Sequence, residues 1–381
     1  MIYWDANAGA PLLPSVRERL CATLSDAWGN PGAVHAIGRR ARARLDLARS
    51  QVAELLKASS PREIVFTGSG SEAAALAVIG TWLARGATPR RKVVSTLVEH
   101  PSVLGALQRL EELGAEVVLL PPTSAGAVDL AAVTSALDED VFLCSVMWAN
   151  NETGVVQPVE AIAAHCRERG IVFHTDAVQA AGKLAVRVDT APIDLLSLSA
   201  HKLGGPPGVG VLYDRREIQV AALIPGHQEN GRRGGTPSLA LAEAAALALA
   251  HAEAHREEYA QRVEPLRDLF EAETTRRLGA QVNGAPAQRL PNTSNLRFPG
   301  IDGEALLIAL DLEGIAVSTG AACASGSLSP SHVLVAMGLG PADAAASVRF
   351  SLGPDTTRDE VSAVVAALGR HLEACRTGSR N

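Results

Sequence analysis

The sequence predicts an α/β protein: a large domain on a mostly parallel seven-stranded sheet with helices on both faces, and a smaller α+β domain. Three observations predict it. Between about residue 60 and 215, seven short apolar runs alternate with amphipathic stretches, the pattern of strands linked by crossover helices. A long helical pattern from Ser238 to Leu278 then changes from apolar to highly charged near His255, as a connector between domains would. The tail mixes strand-like and helical segments and, with the first dozen residues, forms the second unit. The expected boundaries are 15–255 for the large domain, and 1–14 with 256–381 for the small one.

In chain order, "GRRARARLDLAR" (38–49) alternates arginine with apolar residues at helical spacing and reads as a solvated helix face. The runs "EIVFTG", "KVVST", "AEVVLL", "VFLCSVMWA", "IVFHTDA", "DLLSLSA" and "GVGVLYD" read as buried strands. Between them, "HPSVLGALQRLEELG" and "PVEAIAAHCRERG" read as amphipathic helices. In the tail, "SNLRF", "IAVSTG" and "VRFSLG" are strand-like, whereas "GEALLIALDLEG" and the last stretch are helical.

Composition narrows the function. The chain has 381 residues, 47% of them hydrophobic, enough for a sizeable core. Its net charge is −6 with no polybasic block, which argues against nucleic acid or a membrane as partner. The opening "MIYWDANAGAP" lacks a basic segment followed by an apolar one, and the alanine-rich stretch 238–255 is broken by Glu243, His251 and Glu253. The five cysteines (Cys21, Cys144, Cys166, Cys323, Cys375) form no CxxC pair and are odd in number, neither a disulfide framework nor a zinc site. A cytoplasmic protein with reduced thiols is the expectation.

Ligands of parallel sheets collect at the carboxyl ends of the strands, and several such ends carry polar groups. "TGSGSEAAA" (67–75) is a turn opening a helix, whose free N–H groups suit a phosphate. His100 precedes a proline-started helix, where a capping role is the plainer alternative. "NNETG" (150–154) offers amides, and Asp176 and Gln179 in "TDAVQAAG" face the same cleft. Lys202 stands where "SLSAHKLGGPPGVG" leaves its strand for a stiff, glycine-rich turn. Pyridoxal 5′-phosphate asks for this set: an amine for its aldehyde, a carboxylate for its pyridine nitrogen, an imidazole over its ring and a phosphate cradle. Cys323 lies among small polar residues, "STGAACASGSLSPS", a setting suited to a mobile nucleophile rather than a core.

These residues resemble the cysteine desulfurases of the class V aminotransferase group, nearest the housekeeping and nitrogenase-associated branch. The resemblance runs through "GNPGAVHAIGRRAR", "VEHPSVL", "WANNETGVVQPV", "FHTDAVQAAGKL", "SLSAHKLGGPPGVGVLY", "RRGGT", "PNTSN" and "SVRFSLG", over essentially the whole chain. It implies the aspartate aminotransferase-like fold, type I of the pyridoxal phosphate enzymes. It also implies Lys202 as the Schiff-base lysine, Asp176 at the pyridine nitrogen, Gln179 at the phenolic oxygen and His100 over the ring. Gly70, Ser71, Ser199 and His201 would hold the phosphate, and Thr236 would reach the phosphate of the other subunit in a homodimer. Asn151 and Arg349 would hold the substrate, L-cysteine. Cys323 would receive its sulfur as a persulfide, leave alanine behind, and pass the sulfur to an acceptor such as an iron–sulfur scaffold.

Three departures stand against the family pattern. Gly9 and Ala10 replace paired threonines, "SEAAALA" lacks the customary asparagines, and Pro225 and His227 intrude before the arginine-rich turn. Two alternatives therefore stay open. One is a related lyase acting on cysteine, selenocysteine or cysteine sulfinate without a protein thiol. The other is a catalytically silent sulfur carrier that kept the fold.

Overall fold

The computed structural model describes residues 1–86, 88–319 and 330–378, the side chains of the last five excepted. A short strand, β1 (Ile2–Tyr3), comes first, followed by helices Pro14–Asp26 and Ala36–Leu56. The second of these is the arginine-rich stretch. Ala41, Leu45, Ala48, Val52 and Leu56 recur at three- and four-residue spacing and turn into the core, while Arg39, Arg40 and Arg42 are exposed. Arg49 departs from the solvated face expected of it: it is buried, donates to both carboxylate oxygens of Glu229 at 2.6 and 2.8 Å, and lies over the Phe66 ring. The bidentate ion pair is what makes burial of the guanidinium tolerable.

The seven sheet strands follow: β2 (Ile64–Thr67), β3 (Lys92–Thr96), β4 (Glu116–Leu120), β5 (Val141–Ser145), β6 (Val172–Asp176), β7 (Leu195–Ser199) and β8 (Gly210–Asp214). Their order across the sheet is β2-β8-β7-β6-β5-β3-β4. Only β8 runs antiparallel to its neighbours, β2 and β7; the other pairs are parallel. Strands β2, β7 and β8 are buried at every residue, because both faces are covered. Strand β4 differs from the buried run expected of it. It is one of the sheet's two edge strands, and Glu116 and Leu119 are exposed there, whereas the other edge, β2, is buried.

The connector is also not continuous. Its apolar half, Leu239–Ala254, and charged half, Arg256–Leu278, are separate helices that meet at His255 (φ −106°, ψ 6°). The first packs its alanines against the large sheet's helices, whereas the second buries Val263 and Phe270 in another core, so the chain must turn between them. That second core gathers around Trp4, Phe270 and Phe350, with Phe270 edge-on to Trp4 at 5.0 Å between centroids. It includes β9 (Gln281–Asn283), β10 (Thr293–Arg297), β11 (Ile315–Ala316) and β12 (Ser347–Ser351). Strands β12, β10 and β9 form an antiparallel sheet, and β1 pairs in parallel with β11. No helix among the described residues is long and apolar enough to cross a membrane. Cys144 and Cys166 are buried, whereas Cys21 is exposed on its helix.

Candidate active site

The carboxyl ends of the large sheet open onto a cavity of about 370 Å³. Strand β7 ends at Ser199, and one turn of 3₁₀ helix, Ala200–Lys202, carries the lysine onto the rim. The stiff turn behind it needs glycine: Gly204 has φ +78°, and a Cβ on Gly205 would lie 2.9 Å from the Ala200 carbonyl oxygen. Lys202 Nζ donates to the carbonyls of Asn7 at 2.5 Å and Ala8 at 2.7 Å. Ser199 Oγ meets His201 Nδ1 at 2.8 Å. Burial, with Lys202 adding to it, pushes the His201 imidazole down to about 4, so the ring is neutral at physiological pH.

Strand β6 delivers Asp176, whose Oδ1 accepts from the Val178 N–H at 2.9 Å. Burial pushes its carboxyl up to about 6, against the opposing pull of Lys202, so it is ionised at neutral pH. His100 follows β3 and caps the helix Pro101–Glu112: its Nδ1 accepts from Ser102 N–H at 3.1 Å. That bond puts the ring proton on Nε2. Burial first, then Lys202 and His332, push the imidazole down to about 4. The capping role and a place on the cavity wall thus coexist in one residue.

At the end of β2, Ser69 caps the helix Gly70–Ala75 by accepting from Glu72 N–H, and Gly70 and Ser71 face the cavity. Glu72 in turn pairs with Arg233 of the arginine-rich turn at 2.8 Å. After β5, Asn150 Oδ1 accepts from the N–H groups of Glu152 and Thr153 and shapes the turn, leaving Asn151 on the wall. From β12, Arg349 donates to Asn151 O at 3.0 Å and pairs with Asp5 at 2.6 Å.

Gly70, Ser71, His100, Asn151, Asp176, Gln179, Ser199, His201, Lys202 and Arg349 therefore share one cavity. Thr236 does not line it; it is exposed elsewhere on the chain. Cys323 lies outside the described residues.

Four residues went unread in the sequence. Asn7 lines the cavity, and its carbonyl accepts from both Lys202 and Gln179. Asp5 holds Arg349, and Lys183 bonds Gln179. Glu99, beside His100, is wholly buried. The "AN" before the Gly9–Ala10 departure and the lysine four residues after Gln179 were the available signals, but neither is chemically distinctive by itself.

Comparison with known proteins agrees with this architecture. The sequence profile of the aminotransferase class-V family matches residues 2–364. The chain is 41% identical to a cysteine desulfurase of Nostoc sp. over 99% of its own length and 94% of that protein's. It is 42% identical to the cysteine desulfurase NifS of Azotobacter vinelandii, covering 96% and 90%. Among solved structures, a NifS-like protein superposes with a TM-score of 0.91 at 33% identity, covering 98% and 99%. SspA in complex with cysteine does so with a TM-score of 0.81 at 33% identity, covering 94% and 100%. The parallel sheet with its one reversed strand, the lysine and aspartate at adjacent strand ends, and a profile match spanning nearly the whole sequence place this chain in the class-V aminotransferase family.

Proposed function

We propose that this chain is a pyridoxal 5′-phosphate-dependent cysteine desulfurase that moves the sulfur of L-cysteine onto Cys323 and releases L-alanine. The observation that carries the reading is the convergence of the Lys202 amine, the Asp176 carboxylate and the neutral His100 ring on one cavity. Likeness over nearly the full chain to proteins named cysteine desulfurase supports it.

The residues present fit the cofactor. The helix start at Gly70 and Ser71, with Ser199 and His201, supplies N–H and O–H donors for a phosphate. A Cβ on Gly70 would come within 2.9 Å of Ser199 Cβ, so only glycine lets the backbone approach there. Asp176, ionised above about pH 6, would hold a proton at the pyridine nitrogen. Gln179 would donate to the phenolic oxygen, and His100 would cover the ring as an uncharged imidazole. Bound there, the cofactor supplies the electron sink that makes the substrate's carbon–sulfur bond labile.

The chain's own residues supply the rest. Arg349 would exchange Asp5 for the substrate carboxylate, as its planar guanidinium suits either partner, with Asn151 beside it. The Lys202 amine would accept the Cα proton. His100 presents a protonated Nε2 while its Nδ1 accepts from Ser102 N–H, so it would serve the reacting groups as a hydrogen-bond donor rather than as the base that forms the thiolate. The Cys323 thiolate then attacks the substrate sulfur. A sulfur–sulfur bond forms as the carbon–sulfur bond breaks, and the released electron pair stays on the carbon fragment, which is protonated. One cysteine and one protein thiol become one alanine and one persulfide. An acceptor protein such as an iron–sulfur scaffold would take the sulfur onward. The exposed Thr236 suits a homodimer in which it reaches the partner's phosphate. The core around Trp4, Phe270 and Phe350, drawn wholly from residues 1–14 and 256–381, supports domains of 15–255, and 1–14 with 256–381; Val98 and Met147 pack with Val333 and Leu334 across that boundary.

The test is incubation of the cofactor-loaded protein with L-cysteine, measuring alanine and protein-bound persulfide. Wild type should yield both. Cys323→Ala should form no persulfide and lose alanine production by several orders of magnitude, the scale seen for a removed nucleophile. Full sulfur release by Cys323→Ala would favour a lyase. A colourless protein that takes up no pyridoxal phosphate would favour the silent carrier. Borohydride trapping should label Lys202, and an adduct on another lysine would contradict the reading.

A further inference from the structure

Lys183 has no role in the chemistry above, yet it is buried, 8% exposed, and bonded to two residues of the cavity wall, Gln179 and Asn7. The turns that follow β6 place it four residues after Gln179, with Ala181 N–H bonded to Ala177 O and Leu184 N–H to Ala180 O. Gly182 (φ +70°) lets this segment press against the helix Leu239–Ala254, where a Cβ would sit 2.7 Å from Ala252 Cβ. Lys183 Nζ then points at three oxygens: Gln179 Oε1 at 2.9 Å, Gln179 O at 3.1 Å and Asn7 Oδ1 at 3.5 Å. Three acceptors match the three donors of an ammonium.

An ammonium has no lone pair to offer, so the Gln179 atom facing it must be the carbonyl oxygen. The amide nitrogen is thereby turned the other way, where Nε2 donates to Asn7 O at 3.0 Å on the cavity side. We propose that Lys183 is a positioning residue, which fixes the Gln179 amide so that its N–H₂, rather than its oxygen, serves the ligand cavity. An ionised oxygen of a ring-bearing ligand then meets a donor. With the amide reversed it would meet an acceptor and be repelled. The inference rests on the reading of this cavity as the cofactor site.

Burial, with Lys202 and Arg349 nearby, pushes the Lys183 ammonium down to about 7. Placing a further cation beside two others is unfavourable, and an apolar side chain would fill the same slot more stably. A lysine here therefore serves through its donors and not its volume.

The experiment compares wild type, Lys183→Met, Lys183→Arg, Gln179→Leu and the Lys183→Met/Gln179→Leu double variant. It measures the melting temperature of each cofactor-free protein, the dissociation constant of pyridoxal phosphate, and the pH midpoint of the loaded protein's absorption change. Lys183→Met should fold, with a melting temperature at or above wild type. It should bind the cofactor about tenfold more weakly, the scale of one lost hydrogen bond to a charged group. Its midpoint should move to higher pH, because a donor that favours the ionised oxygen is lost. The double variant should bind no more weakly than Gln179→Leu, and Lys183→Arg should recover most of the affinity. Wild-type affinity and midpoint in Lys183→Met, or additive losses in the double variant, would overturn the proposal. Should Lys183→Met not fold, Lys183→Arg decides: near-wild-type binding supports the proposal, and a tenfold loss overturns it. Wild type that takes up no pyridoxal phosphate is a separate outcome: it defeats the cofactor reading itself, and the proposal with it.

Discussion

Glu99 and Asp176 are two carboxyls whose surroundings push them to opposite charge states. Glu99 accepts from Thr96 Oγ and Met147 N–H through Oε1, each at 2.8 Å, while its Oε2 is buried with no hydrogen-bond partner among the described residues. Burial pushes this carboxyl up to about 8, with Asp176 adding to the shift. It is therefore neutral at physiological pH, and Asp176, at about 6, is the ionised member. The ordinary carboxyl value is 4.5. Between that and about 8 the folded protein keeps a proton that the unfolded chain has released, so this residue's contribution to stability falls as pH rises through the window. Glu99→Gln removes the slope. Its stability relative to wild type should improve by on the order of 2 kcal/mol or more between about pH 5 and pH 8.5, as read by thermal unfolding at both values. An equal difference at the two pH values would contradict the assignment.

At the scale of elements, the site depends on how closely one strand approaches one turn. A Cβ on Gly210 at the start of β8 would fall 2.3 Å from Ser69 C and O, and 2.7 Å from Gly70 N. These are backbone atoms at the head of the helix Gly70–Ala75 and cannot move without shifting the turn proposed to hold the phosphate. Gly210→Ala should thus cost roughly 3 kcal/mol or more, and weaken cofactor binding along with stability. Gly105 provides the contrast. It lies inside the helix Pro101–Glu112, and a Cβ there meets nothing within 4 Å. Gly105→Ala should stabilise by about 0.5–1 kcal/mol through helix propensity alone. Denaturant melts of the two variants should move in opposite directions.

Across the whole molecule, the first residues are stitched into the far end of the chain. Trp4 is fully buried, packs edge-on to Phe270 and Phe350, and lies one residue before the Asp5 that holds Arg349. Trp4→Ala should cost about 3–5 kcal/mol, the usual scale for emptying a buried aromatic site. It should also raise the KM for cysteine by loosening Asn7 and the strand that carries Arg349, against whose Phe350 the Trp4 ring packs. Denaturant unfolding and steady-state kinetics check the two effects separately. A stable variant with unchanged KM would show that the N-terminal segment does not organise the cavity.

Much of this was written locally. Continuous apolar runs marked the strands because both faces of the sheet are covered, and three- and four-residue spacing marked the helices because one face of each is dry. The polar residues at strand ends, from Ser71 to Lys202, stood out because nothing in packing requires them there. The burial of Glu99 and Lys183, the ion pairs that draw Arg49 and Arg349 inward, the break at His255 and the delivery of Asn7 to Lys202, 195 residues away, and of Asp5 to Arg349, 344 residues away, were decided only by tertiary structure. The physical reason is one of range. A repeat pattern records which face of an element is dry. Which distant carbonyl or carboxylate will meet a given amine depends on how the elements stack, and no local signal carries that.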